Sequence, residues 1–171
     1  AKSSTAFGRD QVLFDTTMGW RFVNKKLEEK YGVEAMPVTA ENVADEFGIS
    51  REDQDRYALN SQRKAGLAQD SGFFSSEIIK VTIPQRRKES LLFEVDEHLR
   101  SDTTLAGLSK LSTPFKVNGS VTAGNASGIN DGSCAMIVAS EMGIRDQALT
   151  PRARVIATTV VGLAPRIMGH G

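Results

Sequence analysis

Residues 121–132 read VTAGNASGINDG, and this is the most unusual stretch of the chain. It holds three glycines, two asparagines and one aspartate between a β-prone start and an apolar run. Such a density of small residues predicts tight turns and a backbone that another group can approach closely. Its N–H groups and small hydroxyls suit hydrogen bonding to an amide- or phosphate-bearing ligand. From residue chemistry alone, a purely structural turn explains the pattern equally well.

The residues that follow this segment predict a layered arrangement of strands and helices. Apolar runs at 135–139 and 155–163 lack period-two alternation, which is typical of strands buried on both faces of a sheet. A short helix is expected between them, over residues 141–148. The fold class predicted from this pattern is α/β.

Two helices are predicted upstream of the glycine-rich segment. Thr39 is expected to cap a helix over residues 40–47, and Gly48 stands where a helix commonly ends. A second helix is expected to begin after Ser50, with a near capping box, and to run to about residue 69. Small residues recur along it at helical spacing, which predicts one closely packed face.

A β-hairpin is predicted between these helices and the glycine-rich segment. Residues 78–83 and 91–95 are β-prone, and Pro84 ends the first run. The connection carries three consecutive cations at 86–88, for which a solvated turn and a phosphate-binding patch both remain open. A short helix is expected over residues 103–111.

The composition, 40% hydrophobic and 25% charged, is that of an ordinary globular protein. A chain of 171 residues is long enough for one domain, or for one domain and part of another. Lys plus Arg and Asp plus Glu both number 21, which argues against a nucleic acid or an anionic membrane as partner. The single cysteine, Cys134, excludes an intramolecular disulfide and a multi-cysteine metal site, and it is typical of a reducing, cytoplasmic compartment.

Both ends of the chain fall inside a pattern. The first residue is Ala1, and the last residues, 168–171, follow directly on an apolar strand-like run. Folded chains rarely end where a strand passes to its next turn. We therefore expect the chain to be an internal segment of a longer protein.

Several motifs occur along the chain in the order and spacing of thiolases. They are residues 39–44 (TAENVA), 50–55 (SREDQD), 61–62 (SQ), 96–100 (DEHLR), 121–132 (VTAGNASGINDG) and 162–169 (GLAPRIMG). On these motifs the chain resembles the thiolase family over nearly its whole length. Residues 15–24 (DTTMGWRFVN) and 31–37 (YGVEAMP) are similar to those of the 3-oxoadipyl-CoA thiolases of aromatic-compound degradation.

The resemblance implies a layered α/β/α/β/α core with an inserted α+β loop domain, only part of which is present. Three units are implied: the CoA-binding loop domain over 1–127, the end of the N-terminal thiolase half over 128–149, and the start of the C-terminal half over 150–171. The complete enzyme is expected to be a cytoplasmic homo-oligomer, either a dimer or a tetramer.

The resemblance also implies an acyltransferase activity. Thiolases cleave a 3-oxoacyl-CoA with free CoA to acetyl-CoA and a shortened acyl-CoA. For this chain the implied substrate is 3-oxoadipyl-CoA and the products are succinyl-CoA and acetyl-CoA, with coenzyme A as a substrate and no permanently bound cofactor. Two alternatives stay open, a general acetyl-CoA acetyltransferase and a non-catalytic acyl-CoA-binding or interaction module.

The resemblance assigns binding roles to individual residues. Arg100 matches the arginine beside the adenine and phosphate end of CoA, and Ser127 matches the serine that hydrogen-bonds the pantetheine arm. Arg21 is our candidate partner for the terminal carboxylate of a 3-oxoadipyl group. The other implied site residues are Ala123, Ala126 and Gly128, which line the pantetheine tunnel, Leu111 and Phe115, which are apolar neighbours of CoA, Met36 and Met168, which lie close to the reacting acyl group, and Trp20, which faces the substrate.

No catalytic residue and no metal ligand is assigned within these residues. The family's nucleophilic cysteine lies upstream of the matched region, and its other catalytic motifs lie downstream. Cys134 begins an apolar run and is interpreted as a small buried hydrophobic residue. His98 is interpreted as a surface residue, and His170 stands where the family usually has an apolar or small residue. We therefore expect the chain alone to be inactive.

Overall fold

The computed structural model describes residues 7–9, 13 and 19–171. Most of the segment predicted to be loose, residues 1–10, and the first part of the motif at 15–24 lie outside the described residues. Within the described part there are five α-helices, two strands and two 3₁₀ segments. They are α1 Lys25–Tyr31, α2 Met36–Phe47, α3 Arg51–Asp70, the 3₁₀ segment Phe73–Ser76, β1 Val81–Ile83, β2 Leu91–Phe93, α4 Leu105–Leu108, α5 Glu141–Asp146 and the 3₁₀ segment Pro165–His170.

Helix α2 begins four residues earlier than the sequence predicts. Its N-cap is Ala35, and Pro37 lies in the first turn, where its missing N–H has no intrahelical partner to lose. The predicted capping role of Thr39 is wrong, because its hydroxyl donates to the carbonyl of Met36 from inside the helix, at 2.8 Å. The predicted end is confirmed: Gly48 has the left-handed backbone, φ 63° and ψ 34°, that only glycine adopts without strain.

Helix α3 has the predicted bounds, and its predicted small face is partly buried. Ser50 is its N-cap, and the Ser50 hydroxyl oxygen accepts from the N–H of Asp53 at 3.1 Å. Of the predicted small face, Ala58, Ala65 and Ala68 are half-buried and Ser61 is exposed, while Asp55 and Gly66 are the fully buried residues of this helix. A first side-chain carbon at Gly66 would lie 3.1 Å from that of Ser101, closer than an ordinary van der Waals contact.

The predicted hairpin is confirmed. Strands β1 and β2 pair in antiparallel register, with Val81 opposite Phe93 and Ile83 opposite Leu91. An ion pair between Lys80 and Glu94, at 2.5 Å, continues the pairing beyond the hydrogen-bonded residues. All six strand residues are exposed.

The strands predicted at 135–139 and 155–163 are wrong for this structure, because neither run carries a strand assignment. Their apolar side chains are exposed; Ile137 is 81% exposed and Ile156 is 84% exposed. A strand buried on both faces needs neighbouring strands and covering helices, and the described residues provide neither for these runs. The helices predicted on either side of the glycine-rich segment do form, as the shorter α4 and α5.

The centre of packing lies where α2, α3, α4 and the start of the glycine-rich segment meet. Its buried apolar residues are Ala44, Leu108 and Val121. Its buried polar residues are Thr39, Glu41, Asp55 and Thr122. Among the described residues, no helix combines the length and the apolar character needed to cross a bilayer.

Candidate functional site

A buried carboxylate on α2 holds the beginning of the glycine-rich segment. Glu41 is 1% exposed. Its Oε1 accepts from the backbone N–H groups of Ser120, at 2.9 Å, and Val121, at 2.7 Å. Its Oε2 accepts from the N–H and the hydroxyl of Ser120, at 2.9 and 3.0 Å. The carboxylate therefore satisfies three donors of the segment and fixes its position against α2.

A second carboxylate, on α3, holds the same segment through an asparagine. The amide nitrogen of Asn125 donates to Oδ1 of Asp55 at 3.0 Å and to the carbonyl of Ser120 at 2.9 Å. The amide oxygen of Asn125 accepts from the N–H of Thr122 at 2.7 Å. Asn125 thus closes a tight turn and ties that turn to α3 at the same time.

Further polar contacts complete the turn. Thr122 is fully buried, and its hydroxyl oxygen accepts from the N–H groups of Gly124, at 3.1 Å, and Asn125, at 3.3 Å. Gln54 of α3 donates to the Ser120 hydroxyl at 2.8 Å. No buried side-chain nitrogen or oxygen among the described residues lacks a hydrogen-bond partner, so this polar network is fully satisfied.

The segment held by these two carboxylates, residues 120–128, is called the anchored turn, and its small residues point outward. Ala123, Ser127 and Gly128 are exposed, and Ala126 is half-buried. The segment therefore forms an open surface of small side chains with one hydroxyl, at Ser127. Its role as the lining of a pantetheine tunnel remains a prediction.

The structure brings one predicted site residue, Leu111, and also His98 next to this segment. A first side-chain carbon on Gly124 would lie 2.5 Å from Cδ1 of Leu111, so the two residues are in close contact. A first side-chain carbon on Gly128 would lie 2.4 Å from Cε1 of His98, an exposed residue whose imidazole covers this end of the segment. Arg100 follows two residues later in the chain.

The backbone around Arg100 is held in place while its side chain is exposed. The Arg100 N–H donates to the side-chain oxygen of Gln62 on α3 at 2.9 Å. The Arg100 carbonyl accepts from the Thr103 hydroxyl at 2.7 Å. Among the described residues no hydrogen bond or ion pair engages the Arg100 guanidinium, so this part of the structure leaves its five N–H donors available to an anion.

Two of the predicted methionines lie on elements that pack together. Met36 is the first residue of α2, and Met168 lies in Pro165–His170, which packs along α2. Arg166 fastens the two elements: its Nε and Nη2 both lie 2.9 Å from Oε1 of Glu34. Asn42 of α2 adds a bond to the Arg166 carbonyl at 3.1 Å.

The contact between Glu34 and Arg166 also shifts the pKa values of both groups. The hydrogen bond from Arg166 lowers the pKa of the Glu34 carboxyl below its ordinary value of 4.5. The same hydrogen bond raises the pKa of Arg166. Further along this packed pair of elements, the Phe47 and His170 rings stack at 4.3 Å between centroids.

The remaining predicted residues make no polar contact with the glycine-rich segment or with the two methionines, among the described residues. Trp20, which is 56% exposed, and Arg21 lie in the segment before α1. Among the described residues, no hydrogen bond or ion pair links this pair to the other predicted site residues. Phe115 is half-buried, close in sequence to Leu111. Their binding roles stay predictions.

The interpretation of Cys134 as buried is wrong, since its thiol group lies in an exposed part of the chain. It directly precedes the apolar run at 135–139, whose predicted burial required a sheet that the described residues do not form. Within the described part of the chain, no group of three or more His, Cys, Asp and Glu side chains is arranged to hold a metal ion.

Sequence reasoning missed the residues that hold the site together: Glu41, Asp55 and Asn125. From the sequence alone, a helix expected over residues 40–47 gives Glu41 only the role of an acid in the first turn, where the helix dipole favours it. That role is wrong, because α2 begins at Met36 and has no acid in its first turn. Its spacing from Ala44 places both on one face of α2, and a carboxylate on a buried face requires hydrogen-bond donors from elsewhere. The donors are in the glycine-rich segment, but only the structure shows that this segment meets α2.

A comparison with protein families matches residues 6–142 to the thiolase N-terminal domain. A curated relative, the beta-ketoadipyl-CoA thiolase of Acinetobacter baylyi, is 56% identical over 168 residues, which are 98% of this chain and 42% of the relative. The chain therefore spans about 42% of the length of this relative.

Solved structures give the same match. The Bacillus anthracis acetyl-CoA acetyltransferase aligns with a TM-score of 0.79 and 36% identity, covering 99% of this chain and 42% of that one. Human mitochondrial 3-ketoacyl-CoA thiolase, solved in complex with CoA, aligns with a TM-score of 0.69 and 45% identity over 78% of this chain and 33% of that one. These neighbours agree with the α/β fold class predicted from the sequence.

Proposed function

The chain belongs to the thiolase family, and we propose that it forms the CoA-binding part of a thiolase that cleaves 3-oxoadipyl-CoA. In this reaction the bond between C2 and C3 of the 3-oxoacyl group breaks. The two-carbon part takes up a proton and leaves as acetyl-CoA, and the remaining acyl group passes from an enzyme thiolate to free CoA, giving succinyl-CoA. The observation that carries the proposal is the anchored turn, which offers small residues and the Ser127 hydroxyl to a narrow, polar ligand.

The pantetheine arm of CoA fits this surface chemically. It is a thin chain with two amides, and a hydroxyl such as that of Ser127 hydrogen-bonds an amide in either direction. Ala123 and Ala126 leave room for the arm, because larger side chains there would fill the same space, and Gly128 leaves room for the His98 imidazole at the end of the segment. Leu111 and Phe115 contribute apolar surface beside it, and all five residues keep the roles that the family resemblance gives them.

The nucleotide end of CoA carries phosphates and needs a cation. Arg100 supplies an exposed guanidinium on a backbone that Gln62 holds in place. A planar guanidinium both stacks on adenine and pairs with phosphate oxygens. We therefore place the adenine and phosphate end of CoA at Arg100, beyond His98 and the Gly128 end of the segment.

The acyl end is assigned to the other group of predicted residues. Met36 and Met168, on the packed pair α2 and Pro165–His170, would lie against the reacting acyl group, and Trp20 would face the substrate. The terminal carboxylate of the 3-oxoadipyl group needs a charged partner if it is to leave water. Arg21, next to Trp20, is the proposed partner.

The bond-breaking chemistry requires a cysteine thiolate that these residues do not provide in a suitable setting. Cys134 is the single cysteine of the sequence and lies in an exposed apolar run. We propose that the nucleophile and the proton-transferring groups come from outside these 171 residues. A cytoplasmic homo-oligomer, with the loop domain over 1–127 and parts of the two thiolase halves over 128–149 and 150–171, remains the proposed setting.

The first experiment compares substrates and removes one cation. In the complete gene product, Arg21→Ala is expected to raise KM for 3-oxoadipyl-CoA by roughly tenfold or more, because a charge-assisted hydrogen bond is lost. KM for acetoacetyl-CoA, which has no terminal carboxylate, should change little. Lys26→Ala, which removes an exposed cation from nearby α1, is the matched control. Equal effects of Arg21→Ala on both substrates would reject the proposed carboxylate contact.

The same assay separates the two alternatives. A general acetyl-CoA acetyltransferase would turn over acetoacetyl-CoA at least as efficiently as 3-oxoadipyl-CoA, and a non-catalytic module would turn over neither. The identity to the beta-ketoadipyl-CoA thiolase, 56% over 168 residues, exceeds the 44% over 149 residues to the acetyl-CoA acetyltransferase of Chromobacterium violaceum, which favours the 3-oxoadipyl substrate. We expect the 171-residue chain by itself to show no CoA-dependent cleavage.

A further inference from the structure

The structure contains a buried charge that the proposed function does not yet use. Glu41 is 1% exposed, and among the described residues no ion pair involves it. Removing a carboxylate from water without a cation is unfavourable unless hydrogen-bond donors replace the water. Here the donors are two backbone N–H groups and one hydroxyl, all from Ser120 and Val121.

The backbone passes this carboxylate closely at Gly119, where a side chain would collide with it. A first side-chain carbon on Gly119 would lie 2.4 Å from Oε1 of Glu41 and 3.0 Å from its Cδ. The chain therefore passes the carboxylate at Gly119 and binds it with the next two residues. The carboxylate acts as a fixed template for the backbone at 119–121.

The second anchor lies four residues further along. Asn125 bonds to Asp55 of α3 and, within the turn, to Ser120 and Thr122. Asp55 is 4% exposed and is itself held by Arg51, whose Nε donates to Oδ2 at 2.9 Å. Two helices thus fix the turn at both of its ends, 120 and 125, and Ser127 follows the second anchor by only two residues.

We propose that Glu41 and Asn125 are positioning residues for CoA: they place the Ser127 hydroxyl and the small residues beside it where the pantetheine arm binds. This inference rests on the proposed function, because it assigns the anchored turn a role in binding CoA. Neither residue touches CoA in the proposed arrangement. Both act through the backbone of the segment between Ser120 and Ser127.

The test is the dissociation constant of CoA measured by calorimetry on the complete gene product. Glu41→Gln keeps the size of the side chain but turns an N–H₂ group toward the N–H donors of the turn. The turn then shifts, and we expect the Kd of CoA to rise about tenfold, the effect of losing one good hydrogen bond. The number of binding sites per chain should stay the same.

The number of sites distinguishes positioning from loss of structure. A purely structural residue would lower the fraction of folded chains, which reduces the number of sites and leaves the Kd of the folded chains unchanged. Asp45→Asn is the matched control, because Asp45 is an exposed carboxylate on the same helix, paired with Lys116. This variant should bind CoA like the unaltered protein.

A rescue experiment tests the second anchor and covers the case in which Glu41→Gln does not fold. Asn125→Asp sets two carboxylates against each other at Asp55 and should weaken CoA binding about tenfold or more. Adding Asp55→Asn restores an amide-to-carboxylate hydrogen bond with the partners exchanged. The double variant should bind CoA more tightly than Asn125→Asp alone.

The possible results separate this inference from the proposed function. If Ser127→Ala raises the Kd while Glu41→Gln and Asn125→Asp leave it unchanged, the positioning role is wrong and the CoA site stands. If Ser127→Ala and Arg100→Ala both leave the Kd unchanged, the proposed CoA site is wrong. A double variant that binds no better than Asn125→Asp also overturns the role of the second anchor.

Discussion

The glycine-rich segment and the two apolar runs that follow it differ in what holds them. The segment is rich in polar and small residues, and yet Val121 and Thr122 are buried, 4% and 0% exposed. The runs at 135–139 and 155–163 are the most apolar parts of the chain, and yet their large side chains are exposed. Apolar character alone therefore does not decide which part of this chain is buried.

The difference lies in whether the backbone donors and acceptors have partners. Glu41, Asp55 and Asn125 supply partners to the turn from side chains on α2 and α3 and from the turn itself. A buried strand takes its partners from neighbouring strands, and the described residues offer none to the apolar runs. Side chains close to the glycine-rich segment are enough to hold it in place. A strand in a sheet needs further strands to satisfy its backbone hydrogen bonds.

The largest effect is expected where the network is removed outright. Glu41→Leu leaves three donors without this acceptor, the half-buried N–H and hydroxyl of Ser120 and the buried N–H of Val121, and we expect the free energy of unfolding to fall by about 3 kcal/mol. Thermal and urea unfolding of the variant, compared with the unaltered chain, measure this loss.

A substitution in the apolar run at 155–163 should leave the free energy of unfolding almost unchanged. Ile156→Thr replaces a side chain that is 84% exposed, and such surface substitutions change stability by about 0.5 kcal/mol or less. If Ile156→Thr destabilised the chain as much as Glu41→Leu, the contrast between the two regions would be lost.

A smaller effect is expected from adding bulk to the anchored segment. Ala126→Leu places a branched side chain on the surface proposed for the pantetheine arm, and we expect the Kd of CoA to rise about tenfold. Ala135→Leu, in the exposed apolar run, adds the same atoms away from that surface. Calorimetric titration should give the control the Kd of the unaltered protein, and an equal loss in both variants would argue against the proposed surface.

The smallest effect is expected on the pH dependence of stability, through the ion pair of Glu34 and Arg166 where Pro165–His170 packs on α2. Because Arg166 lowers the pKa of Glu34 below 4.5, the folded state binds this proton less readily than the unfolded state does. The stabilisation is therefore complete above the ordinary carboxyl pKa and is lost as the pH falls through the lowered value. Glu34→Gln should remove this part of the acid sensitivity.

The measurement is unfolding of both proteins between about pH 7 and about pH 3, around the ordinary carboxyl pKa. The variant should be the less stable protein at neutral pH, and the difference should shrink in acid. Arg166 is exposed and Glu34 is half-buried, so solvent screens the pair and the difference is expected to be small. A difference that grows as the pH falls would mean that the sign of the contribution is wrong.

Much of the local structure could be predicted from the sequence, since its signals act over a few residues. Gly48 ends α2, Ser50 begins α3, and the β-prone runs on either side of Pro84 pair as a hairpin. Thr39 was misassigned because a threonine inside a first turn and a capping threonine differ only in where the helix begins.

The long-range part of the site could not be predicted in this way. Asp55 and Asn125 are 70 positions apart, and nothing in either local pattern indicates the other. In the helix predicted over residues 40–47, Glu41 is explained locally as an acid near the helix start, and this explanation gives no sign of its contact with Val121. The family resemblance identified the segment at 121–132, and the structure identified what holds it.

The location of CoA is tested most directly by a crystal structure of the complete gene product with CoA bound. We predict that the pantetheine arm lies along residues 123–128, with an amide within hydrogen-bond distance of the Ser127 hydroxyl, and that Arg100 contacts the nucleotide end. The hydrogen bonds that Glu41 and Asp55 accept from the turn should be unchanged. A CoA molecule bound elsewhere, with residues 123–128 covered by packed side chains, would contradict this account.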